Sequence, residues 1–393
     1  MQITVSVTVE TTTTRLDELE EACSTAGREA ARVALQRCCE GLERRRHRRD
    51  TRRGTRRRTI LTRVGFITLQ RGRARRADGT RFFPLDELLG LAPHHEASPW
   101  VRGRGTALAC AHPYREAGRL LSTEVGAPVD HRALWRWVQQ DGDQAIHAKA
   151  DQVARMFGDG EAPPHPEGPV PDHLTLAVDA TGVRSVEGPI MSAKVAVAFT
   201  DSQPVGHKGK RRLTRRMIYA DLTDSDGFGQ ALAHELELRY GAHRIPRLML
   251  LGDGEAWIAA LGGDWLPTAR YQLDWWHLGA KVREFCRSDL PRYPRMVDRA
   301  FAHPTRLAAD LRRGRHRGDL EEARQLADYL ERNAASLYTH RHMGPGRWLH
   351  GSGPVEKHVE LTINRRFKRR GMRWSRAGAR NLLALRLEVI AAA

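Results

Sequence analysis

A mixed α/β fold is the architecture this chain predicts, and three stretches predict it. In LTLAVDATGV (174–183) and RLMLLGDGEAWI (247–258), an apolar run of strand length ends on one aspartate, Asp179 or Asp253, and small residues follow at once. In HGSGPVEKHVE (350–360), Gly351, Ser352, Gly353 and Pro354 form a turn that opens a helix, and Glu356 falls in its first turn. Two strand-borne aspartates and one helix-borne glutamate suit a site for two divalent cations, because hard cations need several carboxylate oxygens converging on one point. The expected chemistry is metal-dependent cleavage of phosphodiesters.

Composition narrows the partners. With 393 residues, 40% of them hydrophobic, the chain is long enough for two or three cores. Its 65 Lys+Arg against 47 Asp+Glu leave a formal charge of +18. Such an excess binds polyphosphate by releasing condensed counterions, which favours nucleic acid over an acidic membrane surface. The five cysteines, Cys23, Cys38, Cys39, Cys110 and Cys286, contain no C-x-x-C pair, so neither a disulfide scaffold nor a zinc knuckle is indicated. No apolar run reaches the roughly 20 residues of a membrane span, and the start lacks the basic-then-apolar order of a signal peptide. A soluble intracellular protein is expected.

Residues 2–9 alternate like a short strand, and from Leu16 the apolar positions Leu19, Cys23, Ala26, Ala30 and Val33 recur at helical spacing. The run at 43–58 holds ten arginines, which repel one another unless a counter-charge is near, and so reads as a phosphate-binding arm or as a solvated helix end. Residues 1–58 are therefore expected to form an N-terminal helix with a basic arm. Residues 59–95 read as a small β-rich segment around the Asp78-Gly79 turn, with a turn or short helix from Pro84. Within 96–157, two helices from about Tyr114 and Asp130 flank a turn containing Gly126 and Pro128. As a helix-turn-helix they would offer Asp130, His131, Arg132 and Arg136 to a DNA major groove; as plain core helices they would offer nothing. The Pro- and Gly-rich 158–172 reads as a linker.

Beyond the linker the order is three strands (174–179, 191–200, 215–222), a helix, the Asp253 strand, a short helix and a fifth strand within ARYQLDWWHL (269–278). This is the element order of an RNase H-like sheet. Residues 173–289 form the first part of that core, 290–349 an all-helical insertion, and 350–393 the closing part with Glu356 and a last helix. On the insertion, Leu320, Ala323, Leu326, Ala327, Leu330, Ala334 and Leu337 share one helix face.

Each carboxylate also has a plainer explanation. Asp-Gly is a common turn pair, and a glutamate in a first helical turn often only caps. Glu360, one turn after Glu356, is an alternative third ligand. In QLDWWHL, Asp274 and His277 are three apart and can face a common ligand, while Trp275 and Trp276 can stack on an unpaired base or simply sit in the core at a strand end. The basic loop with Lys208, Lys210, Arg211 and Arg212 and the basic tail with Arg369 and Arg370 would hold phosphates without reading sequence.

Taken together, LTLAVDATGV, LLGDGEAWI, LDWWHL, GSGPVEKHVE and KRRGMRWSRAGARNLLALR resemble the DDE transposases of bacterial insertion sequences, of the Kra and Lre types within the Mutator-like assemblage. The stretches at 82–91 and 114–138 are similar to that family's N-terminal region, so the resemblance runs from about residue 60 to the end. It implies that Asp179, Asp253 and Glu356 are the catalytic and metal-binding triad, and that Asp274 and His277 form the C/D-x-x-H motif. The activity implied is strand cleavage at element ends and strand transfer into target DNA, with Mg²⁺ as cofactor and Mn²⁺ able to replace it. Implied partners are double-stranded DNA with terminal inverted repeats, target DNA and further copies of the chain, in a homodimer or higher oligomer, in the cytoplasm with the nucleoid. Relatives carry a cysteine knuckle just before F-F-P-L-D, whereas RARRADGTRFFPLD has none, so no zinc is expected. A non-catalytic DNA-binding protein and an RNase H-like nuclease are the alternatives.

Overall fold

The computed structural model describes residues 2–47, 54–161, 164–166, 168–205, 211–315, 318–337, 351 and 353–392. It divides into two units, Met1–Gln140 and Asp141–Ala393. The division falls inside a helix, upstream of the Pro- and Gly-rich stretch.

The first unit opens with helix α1 (Leu16–His47). Strands β1 (Thr55–Thr62) and β2 (Gly65–Gly72) follow as an antiparallel hairpin whose two-residue turn hands over to Gly65 at φ +97°. That angle favours glycine, since other residues clash there. The inward faces of the hairpin bury Ile60, Ile67 and Leu69 with Cys39 of α1 and with Leu85 and Leu91. A shorter ribbon, β3 (Ala74–Arg75) and β4 (Arg81–Phe82), turns at Asp78-Gly79 and leads into α2 (Pro84–Leu88). Helices α3 (Pro99–Ala111), α4 (Tyr114–Val125) and α5 (His131–Phe157) complete the unit. Ser98 caps α3 by accepting from the Val101 amide, Gly126 ends α4 in the left-handed region, and Asp130 accepts from the Arg132 amide at 3.0 Å.

Several sequence expectations change here. Residues 2–9 join no ladder; their alternation lacks a paired strand among the described residues. α3 has no counterpart among the expected elements, because Gly103 and Gly105 weaken its helical signature. α5 continues to Phe157, far beyond the expected second helix. Of the basic run 43–58, one end belongs to α1 and the other to β1, while 48–53 lie outside the described residues.

The second unit is built on a five-stranded mixed sheet. Its strands are β5 (His173–Val183), β6 (Met191–Phe199), β9 (Met217–Asp221), β10 (Arg247–Gly252) and β11 (Ala269–Leu273), in the order β11-β10-β5-β6-β9. β10 runs parallel to both neighbours, and β6 runs antiparallel to β5 on one side and to β9 on the other. Along β5, Leu174, Leu176 and Val178 enter a core with Phe228, Leu232 and Leu236 of α6 (Ser225–Tyr240). Ile258 and Leu261 of α7 (Ala256–Asp264), the crossover between β10 and β11, join the same core. Each large side chain there contributes roughly 1.5–3 kcal/mol on leaving water. Thr175 and Ala177 on the opposite face are buried too, so β5 is covered on both sides and its apolar run is nearly continuous.

Four corrections apply in this unit. The stretch expected to be a loop between the second and third strands forms its own hairpin, β7 (Asp201–Pro204) and β8 (Arg211–Thr214), with 206–210 outside the described residues. Asp179 does not end its strand, because β5 continues four residues to Val183 along β6. The fifth strand stops at Leu273, and Trp275, Trp276 and His277 begin α8 (Trp275–Phe285). Leu320, placed on the buried face of the insertion, is 65% exposed at the start of its helix.

α8 carries the insertion. Its Leu278, Val282 and Phe285 share a core with residues of α9 (Tyr293–Ala302), α10 (Pro304–Arg312) and α11 (Leu320–Asn333). After 338–350, outside the described residues, the chain returns to the sheet as the Glu356 helix (Gly353–Val359), which packs on β5 and β6. A single π turn (Glu360–Asn364) follows, and the last helix (Arg376–Ala391) lies against β9.

Candidate functional site

The register of the parallel strands aligns three aspartates. The last pair between β10 and β5 is Leu251↔Ala177, and Asp253, in the turn just after β10, and Asp179, still within β5, each follow two residues beyond it. β10 pairs with β11 as Gly252↔Leu273, and the next step sets Asp274 beside Asp253. The Asp274 amide continues that ladder by donating to the Gly252 carbonyl at 2.8 Å. Neighbouring strands are about 4.8 Å apart, so all three residues stand at one rim of the sheet.

Local bonds fix the first two. Asp179 Oδ1 accepts from the Ala180 amide at 2.7 Å, and Asp253 Oδ1 accepts from the Glu255 amide at 2.9 Å. Gly254, between Asp253 and Glu255, takes φ +95°, and a Cβ there would stand 2.8 Å from a ring carbon of Tyr329. Asp274 is fully buried and caps α8 by accepting from the His277 amide at 3.3 Å, with His277 Nε2 3.9 Å from Asp274 Oδ2. The chain that precedes the Glu356 helix passes close by, since a Cβ at Gly351 would lie 3.6 Å from Asp274 Oδ1.

Electrostatics ties Glu356 to the row. Burial pushes the Asp179 carboxyl above its ordinary range, and the negative charges of Asp253 and Glu356 push it further. The Ala180 amide and His277 act the other way. Asp179 thus sits among two further carboxylates and one imidazole whose charges it feels, and Glu356 rather than Glu360 is the glutamate that acts on it. Glu360 instead meets the Arg365 guanidinium at 3.5 Å. Among the described residues, no three His, Cys, Asp or Glu side chains are gathered closely enough to hold one metal ion.

The remaining expected residues are scattered. Trp275 is partly buried and meets Phe301 edge-on with ring centroids 5.9 Å apart, while Trp276 is 70% exposed. The two therefore differ, and only Trp276 is open to a partner. Arg369 and Arg370 are exposed in the turn after Phe367, and nearby Lys368 donates to the Thr181 hydroxyl, two residues along β5 from Asp179. Arg132 and Arg136 stand one turn apart on the exposed side of α5 in the first unit. Arg212 is exposed on β8; Lys208 and Lys210 lie outside the described residues, as does the side chain of Arg211.

Sequence reasoning missed two tyrosines. Tyr271 of β11 accepts from the Gly254 amide at 3.1 Å, and Tyr329 of α11 donates to the Asp253 carbonyl at 2.8 Å. Only the alternation of β11 hinted at the first, and no local pattern marked the second.

Residues 204–392 match an uncharacterised protein family, UPF0236. The matched stretch takes in Asp253, Asp274 and Glu356 but not Asp179. The chain is also similar to a protein of Streptococcus gallolyticus described as "UPF0236 protein in vanSb 3'region", with 27% identity over 121 residues. That similarity covers 31% of this chain and about a quarter, 24%, of the curated relative. Neither likeness brings an activity with it. No helix among the described residues is long and apolar enough to cross a membrane.

Proposed function

We propose that this chain is a metal-dependent DNA transposase of the DDE type, built on an RNase H-like core, that cuts strands at element ends and joins them to target DNA. The strand order, with three antiparallel strands followed across the sheet by two parallel ones, supports the RNase H-like reading. One observation carries the chemistry: Asp179 and Asp253 each lie two residues beyond the last paired residues of β5 and β10, Ala177 and Leu251, and the charges of Asp253 and Glu356 reach the half-buried Asp179.

The donor chemistry, though not the present spacing of the side chains, supports the expected cofactor. Asp179, Asp253 and Glu356 offer only hard oxygens, the ligand type of Mg²⁺ and Mn²⁺, and their mutual repulsion at Asp179 is the kind a divalent cation relieves. When bound there, such ions supply Lewis-acid stabilisation of the phosphodiester and lower the cost of ionising a hydroxyl nucleophile. The protein's own part is positional. Asp179 and Asp253 are held by amide hydrogen bonds and strand register, Trp276 offers an open ring for an unpaired base, and Arg369 and Arg370 offer charge to the phosphate backbone. Two element ends per reaction favour a homodimer or larger assembly on DNA.

The test is incubation with a duplex carrying a candidate element end and Mg²⁺ or Mn²⁺, followed by mapping of the broken strand. Nicking that leaves a 3′-hydroxyl, then joins it to a second duplex, is expected. Asp179→Asn is expected to abolish both while leaving DNA affinity near that of the parent. Cutting without joining would replace the proposal by a nuclease, and DNA binding with neither by a non-catalytic binder.

A further inference from the structure

The β1–β2 hairpin is an exposed ribbon whose use the carboxylate site leaves unexplained. Its two faces differ sharply. Along β2, Gly65, Ile67, Leu69 and Arg71 are buried, whereas Phe66, Thr68 and Gln70 are exposed. The inward arginines are engaged: Arg58 donates to Asp86 Oδ2 at 2.7 Å, and Arg71 donates to the same oxygen while lying 4.0 Å over the Phe83 ring. Each outer edge is also met in part by other segments of the chain. Leu61 exchanges main-chain hydrogen bonds with Glu96 and Ser98 on the β1 side, and the Thr68 amide donates to Gln36 of α1 on the β2 side. What remains open is the outward face.

On that face Arg57 lies directly across from Gln70 and Thr59 across from Thr68, with Phe66 44% exposed beyond them. Between residues 55 and 81, nine arginines stand against one acidic residue, Asp78, and of the nine Arg58 and Arg71 pair with Asp86 and Arg76 with Glu87. A two-stranded ribbon fits a DNA major groove about 12 Å wide. The side-chain types match base edges as well: an arginine fork suits guanine O6 and N7, a glutamine amide suits adenine N6 and N7, and apolar groups suit the thymine methyl. We infer that the outward face of β1–β2 lies in the major groove of duplex DNA and reads bases there through Arg57 and Gln70. This inference takes its DNA partner from the proposed function but uses none of its chemistry.

The experiment is selection from a random-sequence duplex pool by the full chain carrying Asp179→Asn, so that no strand is cut and binding alone is read. A short enriched sequence is expected. Arg57→Lys keeps the charge and loses the fork, and it should weaken binding to the enriched sequence by about tenfold while changing binding to an unrelated duplex by no more than about twofold. Gln70→Ala should do the same, and a thermal melt equal to the parent's would show that both variants fold. An unchanged preference in both variants overturns the inference, as does a pool from which no sequence is enriched, or tighter binding of single-stranded RNA than of duplex. Because cleavage is never measured, failure here leaves the carboxylate reading standing, and failure of that reading leaves this result standing.

Discussion

The Tyr329 hydroxyl donates to the Asp253 main-chain carbonyl at 2.8 Å, and so ties the helical insertion to the turn that presents a candidate catalytic carboxylate. On the other side of that turn the Tyr271 hydroxyl accepts from the Gly254 amide at 3.1 Å. Burial pushes both tyrosines well above their ordinary pKa, so each hydroxyl keeps its proton throughout the neutral range. The turn is clamped from a strand and from a helix. The insertion is thereby part of how Asp253 is positioned, and more than a spacer ahead of Glu356.

Replacing Tyr329 by phenylalanine removes one hydrogen bond and little volume. Unfolding in urea is expected to show a loss of about 1 kcal/mol. Under the proposed chemistry, strand cutting should fall by about ten- to a hundredfold, because a slightly displaced carboxylate loses much of its effect. Equal cutting by a folded Tyr329→Phe would show that strand register alone holds the turn.

Asp179 makes a separate prediction about stability. Its folded pKa is raised by burial and by the Asp253 and Glu356 charges above the ordinary value of 3.8. The folded state therefore holds the proton more tightly than the unfolded chain does. The stability that this proton contributes is fully present below the unfolded pKa and is lost as pH rises through the folded one. Asp179→Asn stays neutral at every pH. In chelator, thermal melts should place the Asn variant above the parent at pH 7, with the difference shrinking as the pH falls towards about 3.5, where the parent carboxyl is protonated too. A parent that melts higher than the variant at pH 7 without divalent ions would contradict the raised pKa.

What could be read in advance follows from how local each cause is. The strands of Asp179 and Asp253 announce themselves because buried parallel strands are nearly continuous apolar runs. The end of β5 is hidden because Thr181 and Gly182 look like turn residues, whereas their ladder to Ala193 and Ser192 on β6 is a tertiary fact. WWHL looks like strand on the β-propensity of tryptophan, although Asp274 is a regular N-cap and its cap bond to His277 starts a helix at once. Tyr329 lies 76 residues from Asp253 and bonds to a backbone carbonyl, which leaves no trace in residue type. The alternation of residues 2–9 is real as a pattern, but a pattern names no partner strand.

Two helical glycines should respond oppositely to alanine. Gly103 in α3 is exposed, and a Cβ added there would meet nothing within 4 Å, so Gly103→Ala should stabilise by about 0.5–1 kcal/mol through backbone entropy. At Gly142 in α5 the same Cβ would stand 2.4 Å from the Asn381 carbonyl oxygen and 2.7 Å from its carbonyl carbon, both backbone atoms that cannot swing aside. The entropic gain of about 1 kcal/mol there is outweighed by a steric cost of about 1–3 kcal/mol or more, and Gly142→Ala should destabilise. Urea midpoints of the two variants check the signs. Midpoints moving the same way would mean that the last helix yields to α5.

The choice between the two glutamates can be settled directly. Glu356 and Glu360 are one helical turn apart, and sequence spacing alone lets either complete the triad. The charge of Glu356 acts on Asp179, whereas Glu360 lies in the π turn and meets Arg365 at 3.5 Å. An exposed ion pair of this kind is worth about 0–1 kcal/mol, so neutralising Glu360 should cost little in stability. Under the proposed chemistry, with Mg²⁺ and an element-end duplex, Glu356→Gln is expected to lose cutting by about a thousandfold or more, and Glu360→Gln by no more than about threefold, because only the first would remove an oxygen proposed to bind a cation. The reverse pattern would move the third carboxylate one turn along the chain, and equal loss in both would mean that neither glutamate alone completes the triad.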